Sequence, residues 1–172
     1  MTPTLRHAVA DDLMAVGSLH QRSRVAAYSS FLPPEALATP TPEGMGRYWV
    51  ERWSYERDDH LMTVAERDGR LVGFTYVGPD ELDGVVDPHA AMLRAIHLDP
   101  AEQGRGTGRA LMDDALHTMR SWGRTRATLW VLAGNVHARR FYERGGWAPE
   151  GRERDEHFGP VVTRQLRYAR PL

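Results

Sequence analysis

Six residues near the middle of the chain, Gln103, Gly104, Arg105, Gly106, Thr107 and Gly108, carry its first sign of chemistry. They follow an apolar run, AMLRAIHL over residues 91–98, and precede Leu111, Ala115, Met119 and Trp122 at helical spacing. A strand therefore passes through a glycine turn into a helix start. Backbone N–H groups at a helix start have no intrahelical partner and carry partial positive charge, which suits them to phosphate. The spacing narrows the choice of phosphate. A dinucleotide fingerprint counted from Gly104 puts Arg109 where its third glycine belongs. P-loops and kinase loops both need a lysine, and all 22 basic side chains, apart from the histidines, are arginine. What remains is Q-x-x-G-x-G.

A second segment, RATLWVLAGNVHARRFYERGGW over residues 126–147, places Asn135, Ala138, Phe141, Tyr142, Gly146 and Trp147 in a fixed pattern across a strand and a helix. Read from residue types alone, Asn135 is a helix cap and the Phe-Tyr pair is core. With Gln103 to Gly108 before it, however, the chain resembles the GNAT superfamily of acetyl-CoA-dependent N-acetyltransferases. That family carries [QR]-x-x-G-x-[GA] after a strand and then N-x-x-A-x-x-F-Y-x-x-x-G-[FW]. The two signatures span residues 91–147 in the family's order.

The resemblance implies an α/β (α+β) fold: a mixed, mostly antiparallel sheet of six to seven strands, splayed around acetyl-CoA and flanked by about four helices. It implies that the N–H groups of residues 104–108 receive the phosphates. Arg105 and Arg109, one helical turn apart, and the Thr107 hydroxyl would add contacts. The pantetheine arm would pair with backbone at Ile96, His97 and Leu98, and the Leu98 N–H would face the thioester carbonyl. Asn135, Ala138 and Phe141 would complete the cofactor wall, with Gln103 and Gly108. Tyr142 would protonate the departing thiolate. With reference values near 10 for tyrosine and about 8.5 for a thiol, that transfer is uphill by about 2 kcal/mol.

The general base has no such carry-over. Several family members place a glutamate six residues before the position of Leu98, and this chain has Met92 there. His97 is near, but adjacent strand residues point to opposite faces. Asp80, Glu81, Asp83 and His89 lie on the preceding segment and are candidates acting through water. An alkyl amine with pKa near 10.4 pays roughly 4 kcal/mol to lose its proton near pH 7.4, whereas an amine near 7.8 pays well under 1 and needs no base. The acceptor site is expected among the N-terminal helices, the loop after the third strand and the final hairpin. Tyr28, Phe31, Tyr48, Trp49, Trp53 and Trp130 form an aromatic set there; where they line a cleft, flat or cationic amines would suit it. Tyr28, Phe31, Met92 and Trp130 are the substrate-site candidates.

At 172 residues the chain fits one domain, residues 1–172, able to bury about two thirds of its unfolded surface. A formal net charge of −1 gives no field to hold nucleic acid. The absence of cysteine excludes disulfides, thiolate metal sites and a thiol nucleophile, and no metal site is expected. Without a signal-like N-terminus or an apolar run near 18 residues, a cytoplasmic protein with no membrane partner is expected. The expected activity is acetyl transfer to a primary amine on a small molecule. Protein N-terminal acetylation and a silent acyl-CoA sensor are the alternatives. A homodimer through the final strands is a family analogy.

The remaining elements follow from local patterning. Leu5–Val9 reads as a strand. Asp11 and Asp12 open a helix to about Tyr28 whose apolar face includes Leu13, Val16, Leu19, Val25 and Ala26. Four prolines keep 31–42 irregular, and Thr41-Pro42-Glu43 starts a helix toward Tyr55. Asp68-Gly69 joins strands 61–67 and 70–77 as a hairpin. Residues 78–90 are expected as a loop. Strands at 128–132, 147–154 and 161–168 and a helix from Asn135 to about Arg144 complete the pattern.

Overall fold

A computed structural model describes residues 2–172. Its seven strands are β1 (Thr4–His7), β2 (Leu61–Arg67), β3 (Arg70–Leu82), β4 (Val85–Leu98), β5 (Arg126–Leu132), β6 (Ala148–Phe158) and β7 (Val161–Pro171). They form one sheet in the order β1-β2-β3-β4-β5-β7-β6. Every neighbouring pair is antiparallel except β4 with β5. The helices are α1 (Leu13–Tyr28), the single turn α2 (Pro34–Leu37), α3 (Pro42–Glu56), α4 (Thr107–Ser121) and α5 (Val136–Arg144).

The helices cover both faces of the sheet. Leu13, Val16 and Leu19 of α1 and Met45 and Trp49 of α3 bury against Met62, Val64, Phe74 and Tyr76. On the other face, Met112, Ala115 and Met119 of α4 and Tyr142 of α5 bury against Leu93, Leu129 and Tyr168. Two helix starts have the expected capping chemistry. Thr41 Oγ1 accepts from Gly44 N–H at 3.0 Å with Pro42 behind it, and Asn135 Oδ1 accepts from Ala138 N–H at 3.1 Å. The Asp12 carboxylate instead accepts from the Val9 N–H at 2.8 Å and from Arg6, holding β1 to the start of α1.

Three expectations change. Residues 78–90 are not a loop: β3 and β4 run on as a ladder to Leu82 and Val85 across Asp83-Gly84, both at positive φ. This is the same Asp-Gly hairpin chemistry as Asp68-Gly69. Pro79 and Pro88 flank a ladder irregularity, where a missing N–H costs little. Inside the proline-rich stretch, Pro34 starts a helical turn because its fixed φ is already helical. Val25 and Ala26 are exposed, and the buried residues of this end of α1 are the polar Gln21, Ser23 and Arg24.

α1 and α3 cross in close contact. A Cβ on Gly17 would sit 2.2 Å from the Gly46 backbone nitrogen, so only glycine allows the backbones to approach this closely. Because the obstacle is backbone, Gly17→Ala is expected to lower unfolding free energy by about 3 kcal/mol. Urea denaturation measures this, and an unchanged midpoint would show that the helices separate without cost.

Candidate active site

The parallel pairing of β4 with β5 is short. It runs only from Ala90 opposite Arg126 to Leu93 opposite Leu129, after which the strands part. β4 also carries an extra residue, Arg94, because Tyr76 and Val77 oppose Ala95 and Leu93. The bulge resets side-chain alternation, so Ala95 and His97 lie on the α1 face while Ile96 and Leu98 lie on the α4 face.

Backbone direction follows from the ladder. The Asp99 N–H donates to the Val72 carbonyl at 2.9 Å, which makes that pair a hydrogen-bonded one. Hydrogen-bonded and non-bonded pairs alternate in an antiparallel ladder, so Leu98, opposite Gly73, and Ile96, opposite Thr75, turn their N–H and C=O away from β3. They face the gap that opens where β5 diverges. That gap is a cleft of about 780 Å³, lined on its far side by Trp130, Leu132, Asn135, Ala138, Phe141 and Tyr142.

The glycine turn sits at one end of the cleft. Gly106 is the N-cap of α4 with φ +82°, and Gly104 has φ +77°. Left-handed backbone at both positions aims the first N–H groups of α4 outward, where a side chain would strain the turn. Beneath it lies Glu102, which the sequence reading missed. Burial alone would raise its carboxyl, but hydrogen bonds from Thr107 (3.0 Å) and Arg67 (3.2 Å) hold it below the ordinary glutamate value. Thr107 is fully buried and spends its hydroxyl on this carboxylate, so it is not turned toward a phosphate. Arg105 reaches Glu102 at 3.3 Å, and Arg109 is exposed with no ion pair among the described residues.

The other candidates divide. Ile96, His97, Leu98, Gln103, Gly108, Asn135, Ala138, Phe141, Tyr142, Tyr28 and Trp130 line the cleft. Met92 and Phe31 do not. Met92 is buried between Gly78 and Thr128, in the stretch where β4 and β5 still pair, and Phe31 packs under the segment around Gly134. Asp80, Glu81, Asp83 and His89 also lie off the cleft, because the β3–β4 hairpin carries them away; Asp80 is sealed in an ion pair with Arg167 at 2.6 Å. Trp49 is core, 1% exposed, and donates its indole N–H to His20 at 3.0 Å. Trp130 carries Arg154 over its ring at 4.4 Å, so its face already holds the protein's own cation. Sequence reasoning missed Arg24, Arg94, Arg154 and Glu156, all in the cleft wall. Only Arg24 left a signal, as a charged residue four positions after His20 on the buried face of α1.

Titration is shaped by burial. The Tyr142 phenol is pushed well above its ordinary value by desolvation, with Tyr28 nearby adding to the rise, so it stays protonated. Tyr28 is pushed up to about 12 for the same first cause. The His97 ring lies 4.0 Å from that of His20, tilted by 36°, and meets Ser23 Oγ at 3.2 Å. Burial and the charge of Arg24 push it down to about 4. Unfolded chains gain a proton on this histidine below about pH 6.5 that the fold refuses, so its neutral burial costs stability as pH falls from 6.5 toward 4. Urea midpoints are expected to fall by the equivalent of about 2 kcal/mol or more between pH 6.5 and 5, and His97→Gln to reduce that slope, with the rest carried by His20, which burial also holds neutral. An unchanged slope would show that His97 is not held neutral.

The family model described as Acetyltransferase (GNAT) family matches residues 26–147. A probable N-acetyltransferase of Mycobacterium tuberculosis is 28% identical over 151 residues, 86% of this chain and 81% of that one. An uncharacterized N-acetyltransferase of Methanocaldococcus jannaschii is 32% identical over 99 residues, 58% of this chain. The match spans only 44% of that relative's length. Among solved structures, the PaiA N-acetyltransferase of Thermoplasma acidophilum in complex with coenzyme A has a TM-score of 0.81 at 18% identity, covering 100% of both chains, a likeness of fold. With the family model covering the cleft's β4 wall, glycine turn, Asn135 and Tyr142, the chain belongs to the GNAT acetyltransferase family.

Proposed function

We propose that residues 1–172 act as one domain that transfers the acetyl group of acetyl-CoA to a primary amine on a small molecule. The observation that carries this reading is the unpaired backbone of Ile96 and Leu98 facing Asn135 and Tyr142 across the cleft. When bound, acetyl-CoA supplies an activated acyl carbon and a sulfur leaving group. The residues present fit such a group: an extended arm finds β-strand partners at Ile96 and Leu98, and the α4 start offers N–H groups to phosphates.

The Leu98 N–H is fixed by the ladder and would donate to the acyl oxygen of a bound acetyl group as negative charge develops there. A preorganised donor of this kind is worth about 3 to 4 kcal/mol in related sites. The Asn135 carbonyl oxygen is spent on its cap, leaving its amide N–H groups for the cleft. Among the described residues the Tyr142 hydroxyl bonds no protein group, and burial keeps its proton in place. Full transfer to a thiolate is then further uphill than reference values imply. Tyr142 would therefore act chiefly as a hydrogen-bond donor to the sulfur, which departs as a thiolate, while the attacking amine would give its proton to Glu156, the one carboxylate in the cleft wall.

A thiol-release assay over an amine panel tests the reading: CoA is expected to appear only with an acceptor present. Tyr142→Phe is expected to lower kcat by about 10²-fold or more with little change in acetyl-CoA affinity. Unchanged turnover would remove Tyr142 from the chemistry, and tight CoA binding without transfer to any amine would favour a sensor.

A further inference from the structure

The chain as a whole is nearly neutral, with 22 basic and 23 acidic residues, but the cleft wall is not. It contains four arginines and one carboxylate. Arg52 is accounted for, since its Nε bonds Glu56 at 2.6 Å. The other three hydrogen-bond only to neutral groups among the described residues. Arg24 is buried, and its guanidinium donates to the carbonyl oxygens of Ala36 (3.1 Å) and Thr39 (3.0 Å) and to Gln21 Oε1 (2.9 Å). Arg94 donates to the Pro79 carbonyl at 3.0 Å, and its Nε is buried with no partner at all. Arg154 donates to Gln165 Oε1 at 2.6 Å while lying on the Trp130 ring. The contrast is Arg167, on the strand beside them, which is held by both Asp80 and Glu150.

Arg94 is not placed for the phosphates of CoA. Arg94 lies four residues before Leu98, roughly 13 Å along an extended strand, and the glycine turn lies beyond Leu98 in the opposite direction. Arg94 and Arg154 also repel one another, and burial together with the charges of Arg167 and Arg94 holds Arg154 below its ordinary value against the pull of Glu156. Arg94 and Arg154 thus bring two like charges to one part of the cleft wall, with only Glu156 of that wall to offset them. Glu156 likewise has no ion pair among the described residues, accepting only the His157 N–H at 3.2 Å.

Granting the acetyltransferase reading, we propose that the acceptor is an amino-acid-like amine. Its oxyanion, a carboxylate or a phosphorus oxyacid, is held by Arg94 and Arg154, while Glu156 draws in its ammonium. Guanidinium forks match either oxyanion through paired charge-assisted hydrogen bonds. This replaces the expectation of flat or cationic amines, because Arg52 already lies over Tyr48 and Trp49 and Arg154 over Trp130.

The test is a matched panel: an α-amino acid, its aminophosphonate analogue, its carboxamide and a diamine, followed by CoA release. Either acid is expected to exceed the carboxamide and the diamine in kcat/KM by about 10²-fold, in line with charge-assisted hydrogen bonds. The acid and phosphonate arms tell the two oxyanions apart. Arg154→Gln and Arg94→Gln are each expected to shrink that preference by about tenfold or more through the KM of the acid, with the Kd for acetyl-CoA held. With the unaltered protein, the acid lacking its amine is expected to inhibit competitively against the acceptor, and its amide is not. Equal use of carboxamide or diamine, or equal inhibition by the amide, overturns the inference alone. Absence of CoA release with every amine overturns the acetyltransferase reading on which it rests.

Discussion

The early end of the β4–β5 ladder is the constraint on which the rest of this molecule depends. A parallel pair that continued would satisfy Ile96 and Leu98 with the backbone of β5 and leave no cleft. By stopping at Leu93 and Leu129, the sheet exposes a short length of strand edge inside the protein. The bulge at Arg94 then sets which side chains flank that edge, putting Leu98 toward α4 and His97 toward α1. Everything nearby manages the consequence. α4 closes one end through its glycine turn, α5 supplies Asn135 and Tyr142 across the gap, and the seam is lined rather than filled.

The two halves of the cleft use different materials. Toward α4, the available groups are main-chain N–H and C=O, steadied from below by Glu102 with Thr107 and Arg67. Toward α1 and the final hairpin, the wall is side chains: Tyr28, His97, Arg94, Arg154 and Glu156. Backbone groups keep their positions when side chains change, so the first half tolerates substitution wherever the turn geometry is kept. The second half is rewritten by single replacements.

That division explains what was legible in the sequence. Elements with local signals read well: Thr41-Pro42 before α3, Asp68-Gly69 between β2 and β3, and Asn135 before α5 all have capping or turn chemistry within four residues. Asp83-Gly84 carried the same signal and was hidden by the surrounding prolines and acids, whose composition argues for a loop. The glycine turn and the Asn135–Trp147 segment marked the main-chain half, because it is built from contiguous residues. The side-chain half comes from α1, β4, β5 and the β6–β7 hairpin, far apart in sequence. Arg94 and Arg154 look like any other arginine until the fold brings them near one another and leaves their usual carboxylate partners elsewhere. Met92, chosen for its place on the strand, fell in the closed part of the seam because the separation point is a tertiary property.

The contact between Gly17 and Gly46 has a mechanical consequence for this cleft. α1 brings Ser23, Arg24 and Tyr28 to the wall, and α3 brings Tyr48 and Arg52. With their backbones interlocked at van der Waals distance, the two helices cannot slide past one another independently. They form one stiff wall, so a widening of the mouth on that side has to move the pair as one body, together with the 29–41 segment that Gln21 and Arg24 tie to α1.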